Sequence, residues 1–243
     1  MLLFTLFMQT SQATEYCTEG NAEIREACLR EKIAQLERAN REPTQEEEVK
    51  ARELFSTSEE ARRNNDTERA KSILLELEKT YPHTRTYQRA KRILNELKMF
   101  GTPMPDVPEL EWLQGSAPEA MGQSGLTIFI FWEVWCPHCK REVPAMNTTF
   151  ETYSERGLQV VGLTKLTRGR TEDEVQAFLS ENGISFPIAK DEGELSYSFK
   201  VSGIPAAAVA QNGTVIWRGH PAKINDTMIE EWLGDAKPSD STP

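Results

Sequence analysis

The apolar positions along the chain follow two different periods, and the change falls near Gly101. Before it they recur at helical spacing. Residues 21–40 contain no Pro or Gly, and Ile24, Cys28, Leu29, Ile33 and Leu36 predict one helix. Pro43-Thr44 interrupts and opens a second, charge-rich helical stretch over 45–63. Asn64-Asn65-Asp66 reads as a turn, after which Thr67 caps a third helix carrying Ala70, Ile73, Leu74 and Leu77. Tyr81-Pro82 stops it. A fourth helix, 84–99, has Tyr87, Ala90, Ile93, Leu94 and Leu97 on one face.

Residues 101–108 then hold three prolines, which predicts a stiff linker or an extended entry into the next domain, assigned here to 101–110. Beyond it strands and helices alternate. Residues 126–132 form a continuous β-rich apolar run, as in a strand covered on both faces. Residues 136–153 read as a helix containing Pro144, and 158–163 as a second buried strand. Thr171 caps an acidic helix that ends at Asn182-Gly183. A short strand at 186–189 and a turn or two of helix at 195–199 follow. Asn212-Gly213 between 206–210 and 214–218 is the strongest hairpin signal in the chain, and 226–233 closes with a helix. The expectation is a helical domain over 14–100, an α/β domain with a mixed sheet over 111–236, and a tail at 237–243.

Composition sharpens this division. The net charge is −10, from 28 basic and 38 acidic residues, and all but one unit of it lies beyond residue 100. No basic stretch suits a nucleic acid, so DNA and RNA binding are excluded. No apolar run is long enough to span a membrane. The first 13 residues, MLLFTLFMQTSQA, are apolar and then small and polar. Ser11 and Ala13 suit a signal-peptidase site, although the basic start of a signal is missing. The expected location is therefore periplasmic or otherwise exported, with a cytoplasmic chain as the alternative.

The chemistry concentrates at Trp135-Cys136-Pro137-His138-Cys139, between the first strand and its helix. Two cysteines two residues apart at such a junction form a redox pair. Unpaired N–H groups and the helix dipole stabilise a thiolate on Cys136, making it the nucleophile. Cys139 lies one turn further and can close the disulfide. A protonated His138 would add to the stabilisation. A zinc site would need two more ligands, and none stands near. Cys17 and Cys28, eleven residues apart, are open to three readings: a structural disulfide, two free thiols, or bridges to another chain.

Residues 131–144, FWEVWCPHCKREVP, resemble the thioredoxin fold, and within it the TlpA/ResA-like thiol-disulfide oxidoreductases. The resemblance extends over about 102–236 and includes Gly203-Ile204-Pro205 before the hairpin. It implies an α/β thioredoxin-like fold behind the all-α domain. It implies that Pro205 is cis and faces the cysteines, and that Ile204, Trp135, Pro137 and His138 meet the partner. It implies that Glu142 takes the Cys139 proton. It further implies protein thiols and disulfides of the cell envelope as partners, with an electron partner at the membrane, and no metal, flavin or nucleotide cofactor. Two departures stand out. Thioredoxins carry a buried Asp where this chain has Ile130, and Glu133 occupies a position where relatives often have a small residue. Glu133 either places charge near the thiols or faces water. Residues 51–99 weakly resemble a tetratricopeptide-type repeat, suited to a spacer, a homo-oligomer contact or a peptide groove. The resemblance favours a reductase, while Pro137-His138 is the dipeptide of DsbA-type oxidases; an adaptor using the helical arm is the non-enzymatic alternative. The loop 165–170 reads as a solvated turn.

Overall fold

The computed structural model describes residues 22–64 and 66–235. The expected signal segment, Cys17 and the tail from 237 lie outside the described residues. The chain divides into two compact units, 1–94 and 95–243.

In the first unit, α1 spans Ala22–Asn40, α2 Gln45–Arg63 and α3 Thr67–Thr80, and α4 (Arg85–Leu97) runs across the division. Helix α2 opens with a capping box, in which Thr44 and Glu47 satisfy each other's backbone N–H groups. The Arg41 guanidinium and that cap hold the Glu47 carboxyl well below the usual range. The cap of α3 is Asp66, one residue before the expected Thr67, because its carboxylate accepts from Arg69 N. Helices α2 and α3 pack through small residues, Ala51, Ser58 and Ala61, against Ala70, Leu74 and Leu77. The start of α4 is pinned by Glu48, which accepts from Arg85 N and Thr86 Oγ1 at 2.5 and 3.0 Å.

The second unit is a six-stranded sheet ordered β1-β4-β3-β2-β5-β6. Its strands are β1 Glu111–Gln114, β2 Leu126–Trp132, β3 Leu158–Thr164, β4 Ile188–Lys190, β5 Ala206–Gln211 and β6 Thr214–Gly219. Strand β2 pairs parallel with β3, which pairs parallel with β4; the remaining pairings are antiparallel. Helices α5 (Pro137–Tyr153) and α6 (Glu172–Glu181) cover one face with Val143, Met146, Val175, Phe178 and Leu179. The short α7 (Glu194–Ser198) and the entry segment cover the other, where Phe199 meets Phe129 and Phe131. Helix α8 (Asp226–Asp235) adds Ile229 to the first face. This is the thioredoxin-like architecture, a mixed sheet between helices, with several helices preceding it.

The structure refines the expected elements at three places. Residues 101–104 fit the second of the two readings, an extended entry into the domain: Gly101 N and Met104 N donate to Val215 O and Gly213 O, Pro103 bridges to Thr214, and Met104 is buried. The strand expected at 186–189 starts at Ile188, since Pro187 ahead of it has no N–H to pair. Strand β1 has no counterpart in the expected elements. Among the described residues no helix is long and apolar enough to cross a membrane.

Candidate active site

Strand β2 ends at Trp132, and the chain turns through Glu133-Val134-Trp135 into α5. Cys136 N donates to Glu133 O at 3.0 Å, which closes that turn. Cys136 is the N-cap of α5 in extended backbone, with Pro137 in the first turn, where its missing N–H costs nothing. Its sulfur therefore takes the place an Asp or Ser oxygen holds in other caps. Cys139 N donates to Cys136 Sγ at 3.3 Å. Both cysteines are free thiols, Cys136 with 4 % of its surface exposed and Cys139 with none. Burial, the Cys136 hydrogen bond and the charge of Glu133 push the Cys139 thiol far above its ordinary value, partly offset by a backbone hydrogen bond at Glu133. The two sulfurs are therefore unequal: one sits on free N–H groups, the other in a dry core.

The loop before β5 completes the site. The Ile204–Pro205 peptide bond is cis, and the Cys136 thiol lies 3.9 Å from Ile204 O. Pro205 is buried and Ile204 half-buried. Behind the loop, the buried Arg218 guanidinium donates to Phe199 O, Ala207 O and Gly219 O at 3.0–3.1 Å, tying β6 to the segment around Pro205. A cavity of about 380 Å³ opens between Trp135 and Ile204, bordered also by Glu133, Lys165 and Gly203.

Of the other expected residues, Pro137 and His138 are exposed at the helix start. Glu142 is buried one turn beyond Cys139, with its carboxylate 2.9 Å from the Arg141 guanidinium. Ile130 is fully buried in the same apolar cluster as both cysteines. An apolar side chain there can accept no proton.

The structure decides between the two readings of Glu133 and corrects that of the loop 165–170. Glu133 does not face water: it is 8 % exposed, and its carboxylate accepts from Trp135 Nε1 at 2.5 Å and from Thr167 Oγ1. The loop 165–170 is likewise no free turn. Thr167 bonds Glu133, and Arg168 lies over the Trp135 ring, 3.5 Å from its centroid. Cys28 is disulfide-bonded, while its expected partner, Cys17, lies outside the described residues.

The second half of the chain is similar to known proteins. The AhpC/TSA family matches residues 102–218. A thiol-disulfide oxidoreductase ResA of Halalkalibacterium halodurans is 29 % identical over 131 residues, 53 % of this chain and 73 % of its own length. One from Bacillus thuringiensis is 32 % identical over 83 residues, 34 % of this chain and 46 % of its own. The sporulation thiol-disulfide oxidoreductase A of Bacillus subtilis is 23 % identical over 130 residues, 53 % of this chain and 79 % of its own. Among solved structures, a putative thiol:disulfide interchange protein DsbE from Chlorobium tepidum aligns with a TM-score of 0.49 and 25 % identity, over 56 % of this chain and 98 % of its own.

Proposed function

We propose, from the premise that residues 102–218 belong to the AhpC/TSA family of thioredoxin-like proteins and form a thiol-disulfide oxidoreductase of ResA type, that this chain works as a reductase of exported proteins. The observation that carries the reading is Cys136 Sγ at the head of α5, 3.3 Å from Cys139 N and 3.9 Å from the Ile204 carbonyl.

The cycle follows from the inequality of the two sulfurs. Cys136, as thiolate, attacks one sulfur of a partner disulfide; a Cys136–partner bond forms, and the partner's other sulfur leaves and takes a proton. Cys139 loses its proton and attacks Cys136 Sγ, which expels the partner as a second thiol and leaves the Cys136–Cys139 disulfide. Two electrons have passed to the partner, and a dithiol donor restores the pair by the reverse exchange. Glu142, buried one turn from Cys139, takes the Cys139 proton in the second step. Ile204, Trp135, Pro137 and His138 form the rim against which the partner chain lies extended.

Substrates are thus protein disulfides in an oxidising compartment, with a separate envelope donor of electrons. The disulfide at Cys28 supports that compartment, since such bonds persist outside the reducing cytosol. The redox-active group is the cysteine pair itself, and no other cofactor enters the cycle. Steady-state reduction of a disulfide-bonded protein, with a dithiol as donor, tests the reading. Turnover that vanishes in Cys136→Ser supports it; turnover that survives in that variant overturns it.

A further inference from the structure

Glu133 is a buried carboxylate that the exchange cycle does not use. It follows Trp132 at the end of β2, and its own carbonyl accepts the Cys136 N–H at 3.0 Å. Its side chain is fixed by two neighbours, which also bond each other. Trp135 Nε1 donates to Oε2 at 2.5 Å, Thr167 Oγ1 donates to the same oxygen, and Trp135 Nε1 also reaches Thr167 Oγ1 at 3.1 Å. Arg168 closes the far side of the Trp135 ring, and Lys165 shares the bordering cavity. On α5 the other charges near the pair are Glu142 and Arg141, which pair with each other, and the exposed His138 and Lys140. Every contact on Glu133 fixes the carboxylate in place. Both of its side-chain donors are neutral, so none of these bonds cancels its charge.

We propose that Glu133 is a positioning residue that makes the Cys136–Cys139 pair more reducing, held in place by a latch of Trp135, Thr167 and Arg168. The reasoning is electrostatic. A fixed negative charge near a thiol disfavours its thiolate. The reduced form of an exchange pair gains stability through its thiolate, which is why a thiolate-stabilising site is a strong oxidant. A charge that opposes the thiolate therefore shifts the pair toward the reducing end. The Glu133 charge is among the causes that raise the Cys139 thiol. This inference rests on the proposed reductase reading, and it supplies the counterweight to a helix N-terminus and a Pro137-His138 dipeptide that both favour the thiolate.

The test uses the full-length chain equilibrated in glutathione buffers, with the reduced fraction read by alkylation of the peptide holding Cys136 and Cys139. Glu133→Gln keeps the size and the accepting oxygen but removes the charge. The expected result is about a tenfold shift of the equilibrium toward the reduced pair, which corresponds to a potential about 30 mV less negative. Glu133→Asp keeps the charge and shortens the reach, so its potential should stay near that of the native chain. A purely structural role predicts the opposite order, with Asp more disruptive than the isosteric Gln. Should the Gln variant not fold, Glu133→Ser carries the same expectation. Identical potentials in the native and neutral variants, or a larger shift in Asp than in Gln, would overturn the inference. A native potential at the oxidising end would overturn the reductase reading, while the sign of the Glu133→Gln shift would still judge the inference by itself.

Discussion

The Cys139 amide donates to the sulfur of Cys136 across 3.3 Å, so the nucleophile of the pair is also the cap of the helix that carries its partner. Capping and chemistry use the same N–H groups. A negative charge at such a position gains typically 0.3–1 kcal/mol from the helix terminus alone. Cys139, one turn deeper, is fully buried, and burial outweighs the one backbone hydrogen bond that favours its thiolate.

From this asymmetry, Cys136→Ser should reduce exchange to the background rate. Cys139→Ser should instead accumulate a mixed disulfide between Cys136 and its partner. Non-reducing electrophoresis of the Cys139→Ser chain incubated with a disulfide-bonded protein checks this; a bond formed through Cys139 in the Cys136→Ser chain would reverse the assigned roles.

The raised Cys139 thiol also makes stability depend on pH in the reduced chain. The folded state keeps this proton after the unfolded chain has lost it. Stability is thus complete below the ordinary thiol range and falls as pH rises above about 8.5–9. One proton sets the limit, about 1.4 kcal/mol per pH unit. The oxidised chain has no titrating thiol at this site, so denaturant curves of the two forms should diverge above that pH. Parallel pH profiles would show that Cys139 is not held protonated by the fold.

In the proposed cycle Glu142 accepts the Cys139 proton. Glu142→Gln should leave the first attack unchanged and slow the release of the partner by about a hundredfold. Stopped-flow resolution of a preformed mixed disulfide measures this step directly. An unchanged release rate would move the proton acceptor elsewhere.

Arg218 tests the scaffold behind the site. Its guanidinium satisfies three carbonyls at Phe199, Ala207 and Gly219. Arg218→Ala removes all three bonds in a buried place, which should cost at least about 3 kcal/mol, each unpaired group being worth about 1–3 kcal/mol. Urea melts of the two chains provide the comparison.

Legibility in the sequence followed the range of the forces involved. Strand β2, helix α5 and the β5–β6 hairpin announce themselves through local signals: an unbroken apolar run, a Cys-Pro helix start and Asn212-Gly213. Strand β1 does not. Its four residues alternate weakly, and it exists because Glu111–Gln114 finds an antiparallel partner in β4, some 75 residues later. The segment 101–104 likewise reads as a linker until Val215 O and Gly213 O accept from Gly101 N and Met104 N. The cysteine pair was legible from spacing alone. The Glu133–Thr167 contact was not, because it joins residues 34 apart through a loop whose composition suggests only solvent.

The reduction potential of the Cys136–Cys139 pair in the full-length chain is the most direct test of the account. A reductase of exported proteins requires a value near the thioredoxin end, about −270 mV. A value near the DsbA end, about −120 mV, would make the chain an oxidase and contradict the direction proposed here.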